Sequence, residues 1–376
     1  MNIKSLLLGS AAALVAVSGA RAADAVVIAE PEPMEYVRVC DVYGTGFFYI
    51  PGTETCLRIG GYMRYDIGIG ALGIQDAIDK SEFEDGDIEF NDTYYKRARF
   101  QLRTDARSET ELGTLRVYAA INFQYDTNEV GVDVDGDGDF DGVTTDTADE
   151  LGIEHAYIEL GGFRIGKTDS LFSTFTGYAG GVIQDDLIGY GPFGTHQIAY
   201  TFTGGNGFSA AIALEEGDDT YALDDYVPHV VGGVAWTQGW GGVSAVAGYD
   251  AVFEEWAAKV RLDVNATEQL SLFIMAGYSS TDDESADELF NYYGNWGGEW
   301  AVWGGGTFTV SEKAKINVQL SYDELENFAA VANVNYELVP GLVITPEIVY
   351  VDNFDDDIVD DDDDEIGGFL RFQRTF

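Results

Sequence analysis

Arginine recurs at every second position or nearly so in the stretch Tyr95 to Arg103, YKRARFQLR. Arg97, Arg99, Gln101 and Arg103 fall on one side of it, and Ala98, Phe100 and Leu102 on the other. The stretch Thr114 to Gln124 repeats the pattern, with Arg116, Tyr118, Ala120, Asn122 and Gln124 against Leu115, Val117, Ala119, Ile121 and Phe123. The chemistry on offer is a wall of fixed positive charge. Catalysis finds little support: His155, His196 and His229 stand far apart, and no nucleophile and base can be assembled around them. His155 falls where it could share a surface with Glu159. Asp133, Asp135, Asp137 and Asp139 imitate a Ca²⁺-binding EF-hand loop through D-x-D-x-D-G. The twelfth position is Thr144 rather than the bidentate glutamate such a loop needs, so a solvated acidic loop competes with a loosely bound Ca²⁺.

Period two means strands, because successive strand side chains point to opposite faces. In a soluble sandwich the apolar face would be core and the arginines solvated surface. In an outer-membrane barrel the sense is reversed, with apolar residues toward lipid and polar ones toward a lumen. Sixteen such segments can be read from 58–69, 93–104, 113–125, 152–161 and 163–168 through to 366–376. Their connections alternate in length. Gly161-Gly162, Gly204 to Asn206, Gln238 to Gly241, Ala266 to Glu268, Ser311-Glu312 and Val339 to Gly341 are turn-like, and those between them are mostly long and acidic. Short periplasmic turns and long external loops are a barrel's asymmetry, for which a soluble sandwich has no reason.

The export signals agree. Lys4, an apolar run from Leu6 to Val17 and the Ala20-Arg21-Ala22 ending form a secretory signal over residues 1–22, too short to span a bilayer. Since no other stretch reaches the length of a membrane helix, a membrane form must be a closed barrel. With 20 Lys and Arg against 66 Asp and Glu, the formal charge is −46, which excludes nucleic acid as a partner. Residues 23–57 form an N-terminal segment whose isolated pair, Cys40 and Cys56, reads as one disulfide in an exported chain. Residues 58–376 form the barrel. Leu270, Leu272, Ile274, Ala276 and Tyr278 share an outward face, as do Ala314, Ile316, Val318, Leu320 and Tyr322. Trp236, Trp240, Trp256 and Trp300 stand near strand ends, where interfacial aromatics belong. In the last strand Leu370 and Phe372 lead to the terminal Phe376, with Arg374 on the same face at its aqueous end.

The segment VCDVYGTGFFYIPGTETCLRIGGYMRYD, Val39 to Asp66, resembles the N-terminal signature of the alphaproteobacterial (rhizobial-type) general porin family, and FLRFQRTF resembles that family's ending. The resemblance spans essentially all of the mature chain. It implies an all-β fold, a 16-stranded antiparallel transmembrane barrel assembled as a homotrimer, with an inward-folded constriction loop.

Within such a barrel Arg64, Arg97 and Arg99 come near mid-height, with Arg116 slightly below, so that three neighbouring strands carry one basic patch, extended toward the periplasm by Arg58 and Arg103. Inward arginines are costly unless the lumen is wet. The loop Thr168 to Gly194, between strands five and six, is rich in glycine and aromatics. In porins the corresponding loop narrows the channel, which would set Asp185 and Asp186 across from the arginines and create a transverse field. The alternative for this pair is plain solvation. The acidic run Asp355 to Glu365 repels itself and should be mobile. Together with the other loops it gives the mouth a negative potential that salt screens.

The expectation is a water-filled passive channel for small hydrophilic solutes and ions. It sits among outer-membrane lipid and lipopolysaccharide, needs no cofactor, and is weakly cation-selective, less so at molar salt. The rivals are a substrate-selective channel of the same architecture and a secreted acidic β-protein that binds Ca²⁺ or mediates adhesion.

Overall fold

The computed structural model describes residues 38–81, 89–133, 142–281, 290–353 and 364–376. The expected signal segment 1–22, Asp135, Asp137 and Asp139, and all of the run Asp355 to Glu365 but its last two residues lie outside them. Sixteen antiparallel strands form the barrel wall: β1 (Cys56–Gly70), β2 (Tyr95–Thr110), β3 (Gly113–Val132), β4 (Gly142–Leu160), β5 (Phe163–Asp169), β6 (Gly194–Thr203), β7 (Phe208–Glu215) and β8 (His229–Gln238), followed by β9 (Gly241–Tyr249), β10 (Trp256–Asn265), β11 (Leu270–Ser279), β12 (Trp300–Ser311), β13 (Ala314–Asp323), β14 (Asn327–Val339), β15 (Leu342–Asn353) and β16 (Glu365–Thr375). Each strand pairs with the next, and β16 returns to β1 from Gly367↔Gly70 to Thr375↔Tyr62, so the sheet closes. Gly61 and the terminal Phe376 exchange backbone hydrogen bonds at 3.1 Å, and the Phe376 ring stacks on Phe100 at 5.8 Å.

Side-chain exposure is inverted relative to a soluble protein. On β13 the outward Ile316, Val318 and Leu320 are 39, 45 and 50% exposed, while the inward Asn317, Gln319 and Ser321 are 2, 2 and 4% exposed. That alternation holds an apolar belt against lipid and a polar lining inside. Aromatic pairs mark its two rims. Trp256 meets Tyr278 at 5.8 Å and Trp300 meets Tyr322 at 5.9 Å on the loop side, and Trp236 meets Trp240 at 6.1 Å on the turn side. Strands β3 and β4, of 20 and 19 residues, exceed both the sequence expectation and the roughly 10 residues that cross a bilayer, so their hairpin stands beyond the hydrocarbon. The added part of β4, Asp146 to Glu150, is polar but for Ala148 and exposed on both faces, so it pairs with β3 without an apolar face.

Cys40 and Cys56 are joined as a disulfide, and Phe47 is buried with them. Arg58 and Arg107, both pointing inward, lie over the Phe47 ring at 4.8 and 5.2 Å, so the N-terminal segment packs against the turn-side end of the lumen wall. Replacing both cysteines with serine releases a closure of 16 residues, worth about 3 kcal/mol in the chain-entropy model. The double variant should still assemble. Its folded band should convert to the unfolded one at a lower temperature, read by heat-modifiable mobility in gels.

Candidate functional site

The lumen is divided. Its filled half is a cluster in which Leu171, Phe172, Tyr190 and Ile188 from the connection between β5 and β6 pack with Tyr292, Tyr293 and Trp296 from the connection between β11 and β12. Small inward residues on the wall, Ala199, Ala211, Ala213, Ala257 and Ala301, leave room for them. The β5–β6 loop therefore folds inward, opening with a short helix, α1 (Leu171–Thr176), capped by Ser170.

Two wall carboxylates hold that loop. Glu215 of β7 accepts from Ser170 Oγ and the Leu171 backbone N–H, both at 2.7 Å. Glu347 of β15 accepts from the backbone N–H groups of Ile183 and Gln184 at 2.5 and 2.9 Å, and from Asn333 at 2.8 Å. Amide and cationic side chains of the wall take the loop's carbonyls. Gln319 donates to Asp185 O at 2.8 Å, Arg261 to Tyr178 O at 2.6 Å, and the buried Lys259 to Tyr190 O. Gly180 adopts φ +128°, a conformation that side-chain-bearing residues rarely take, which favours glycine where the loop lies against Gln319.

The open half holds a cavity of ≈ 840 Å³. Arg64 of β1, Arg97, Arg99 and Arg103 of β2 and Arg371 of β16 line one side, and Ile183, Gln184, Asp185 and Asp186 of the loop line another. Glu154, His155 and Asp169 lie between. The residues expected from sequence thus meet, except two. Arg116 is not part of this cavity. It donates to Asp105 at 3.1 Å and to Glu159 at 2.8 Å, and lines a separate cavity of ≈ 460 Å³ with Arg107 and Arg164. Counting along strands had set it slightly below the others; its register partner Arg107 and its carboxylate partners take it lower still, out of the arginine cavity. Arg58 likewise donates to Asp105, at 3.3 Å. His155 faces the lumen, where its ring bonds Thr168 Oγ1 at 3.0 Å rather than keeping company with Glu159.

Three partners were missed. Asp66, wholly buried, accepts from Arg97 on one neighbouring strand and Arg371 on the other, each at 2.8 Å. Asp105 gathers Arg58, Arg107 and Arg116. The alternation that selects Arg64 and Arg103 also selects Asp66 and Asp105 two residues later, and it selects Arg371 in FLRFQRTF; that was the available signal.

Among the described residues neither Asp185 nor Asp186 forms an ion pair with an arginine, so the two charges face each other across open space. Enclosure by the barrel, then the neighbouring Asp186 charge, pushes the Asp185 carboxyl up to about 6, and enclosure raises Asp186 too. No group of three or more metal-ligating side chains occurs among the described residues; of the acidic Ca²⁺ candidates only Asp133 is among them.

A barrel with lipid-facing apolar strands, a charged lumen and an inward loop is that of an outer-membrane channel, and residues 24–369 match the Porin subfamily, to which the chain belongs. It is similar to Porin Omp2a of Brucella melitensis, 50% identical over 390 residues, and to Porin Omp2b of Brucella neotomae, 49% identical over 387, in each case over the full length of both chains. In structure it is similar to the outer membrane channel DcaP of Acinetobacter baumannii, with TM-score 0.59 and 17% identity over 87% of this chain and 99% of that one. A mutant of Rh. blastica porin gives TM-score 0.54 and 14% identity over 85% and 100%. The protein is an outer-membrane channel and not an enzyme.

Glu347→Leu removes two charge-assisted bonds to the loop tip, worth about 1.5–3 kcal/mol each. Single-channel recordings of that variant should show larger mean conductance and more open-channel noise than the native protein.

Proposed function

We propose that the protein is a general diffusion porin in which the ≈ 840 Å³ cavity between the arginine wall and the β5–β6 loop is the constriction. The observation that carries this reading is the segregation of charge. Arg64, Arg97, Arg99, Arg103 and Arg371 occupy one side and Asp185 and Asp186 another, and among the described residues no ion pair joins the two. Such a gap holds water, passes small hydrophilic solutes and ions down their gradients, and applies a transverse field that orients dipolar ones. Conduction is passive; nothing in the site drives transport.

Family membership supports a homotrimer seated among outer-membrane lipid and lipopolysaccharide. The external loops and the chain's −46 charge support local enrichment of cations, including Ca²⁺ held loosely without a coordinating cage. The net preference is weakly cationic, because several wall arginines are already neutralised by Asp66, Asp105 and Glu159.

Reversal potential of the refolded protein in planar bilayers under a KCl gradient tests both the sign and its source. Asp185 carries its charge above about pH 6 and loses it below. Cation preference should therefore weaken as pH falls from 7.5 to 5, and the step near pH 6 should vanish in Asp185→Asn. A pH-independent potential in the native protein would remove Asp185 from the constriction.

A further inference from the structure

The wall arginines are of two kinds. Arg97 and Arg371 are clamped on Asp66, and Arg58, Arg107 and Arg116 on Asp105. Arg64, Arg99 and Arg103 have amides instead. Gln373 Oε1 accepts from Arg64 Nε and Nη2 at 2.9 and 2.8 Å, Gln124 Oε1 from Arg99 Nε at 2.6 Å, and Gln101 Oε1 from Arg103 Nε. An amide oxygen fixes the guanidinium's direction as a carboxylate would, yet leaves its full charge. Because each contact uses the Nε side, most of the Nη donors of the three side chains remain available to the cavity that all three line.

Their placement is unfavourable for the protein alone. Arg64 and Arg99 stand directly opposite each other in the β1–β2 register, where like charges repel. Arg64 and Arg103 both lie over the Tyr62 ring, at 4.5 and 5.3 Å from its centroid, so the group is held together from beneath as well. Structural arginines on this wall are neutralised; these are oriented and left charged.

We infer that Arg64, Arg99 and Arg103 form a saturable binding step for an oxyanion, the carboxylate or phosphate group of a small solute, within the lumen. Guanidinium forks match the geometry of both groups. The inference rests on the reading of this cavity as the constriction. A solute bound there occupies the conducting path, so it slows the passage of chloride and potassium while it resides.

The test titrates inorganic phosphate, and in a parallel arm acetate, into KCl at constant ionic strength and pH 7.5 while conductance is recorded. The samples are the native protein, Gln373→Glu and Arg99→Gln, each first shown to be folded by heat-modifiable mobility. Gln373→Glu keeps every arginine and neutralises Arg64 in place. The expected result is a saturable fall in native conductance with phosphate or acetate, its half-effect concentration raised about tenfold in both variants. A response to phosphate alone assigns the step to phosphate-bearing solutes, and one to acetate alone to carboxylates. Conductance that follows bulk conductivity linearly for both anions, or saturation identical in all three proteins, overturns the inference while leaving the porin reading standing. Folded native protein without any KCl conductance overturns the porin reading itself.

Discussion

A sheet that crosses a bilayer can have no edge, because an unpaired backbone N–H or C=O in hydrocarbon costs several kcal/mol. In this molecule the edge is removed by joining β16 to β1, and the side chains at that seam do more than fill space. Asp66 of β1 is fully buried between Arg371 of β16 and Arg97 of β2, so one carboxylate cross-links the last strand, the first and the second. Breaking such a set by removing the acid would leave two guanidinium groups uncompensated, which is far costlier than never having built it. The seam is thus fixed by an ionic cluster inside and, at the turn-side rim, by the pairing of Phe376 with Gly61. Arg97 and Arg371 of this cluster also line the arginine side of the lumen cavity.

Closure also creates the problem that the loops solve. A barrel of this strand number encloses more volume than its wall side chains can fill. The β5–β6 loop and the connection after β11 occupy one half, with alanines on the facing wall and aromatic rings from the loops. Backbone polar groups of the β5–β6 loop, which could not be buried in an apolar core unpaired, find Glu215, Glu347, Gln319, Arg261 and Lys259. The wall on that side is polar because it serves loop backbone, whereas the wall on the arginine side faces open volume. One lumen therefore carries two polar surfaces with different duties.

How much of this could be read from the sequence follows from which interactions are local. The outward face of β11 or β13 is set by alternation within one strand, so Leu272, Ile274, Ile316 and Val318 were legible, as was the alternation of short and long connections. The position of Arg116 was not. Strands in a barrel tilt, and a residue that counting sets only slightly below its neighbours is displaced further along the wall by the register; Arg116 meets Arg107 in the β2–β3 pairing, near the turn. Glu215 and Glu347 were unreadable for a stronger reason. Their partners lie 44 and 163 or more residues away along the chain, and only the inward course of the loop brings them together.

The distinction between carboxylate-bound and amide-bound arginines also bears on how the two charge systems of this protein share the control of permeation. Charges on external loops act through water and ions, and at physiological ionic strength their influence decays over roughly 8 Å. Charges on the lumen wall act across a gap bounded by protein, where screening is weaker and the effective dielectric lower. Numbers alone would give the acidic mouth control, since acids outnumber bases by 66 to 20 in the whole chain. Distance reverses part of that advantage: a permeating ion meets Arg64, Arg99 and Arg103 in the same cavity as Asp185 and Asp186, whereas the loop acids act on it before it enters. On the proposed reading of that cavity as the constriction, the mouth would govern which ions gather, and the wall how long each one stays.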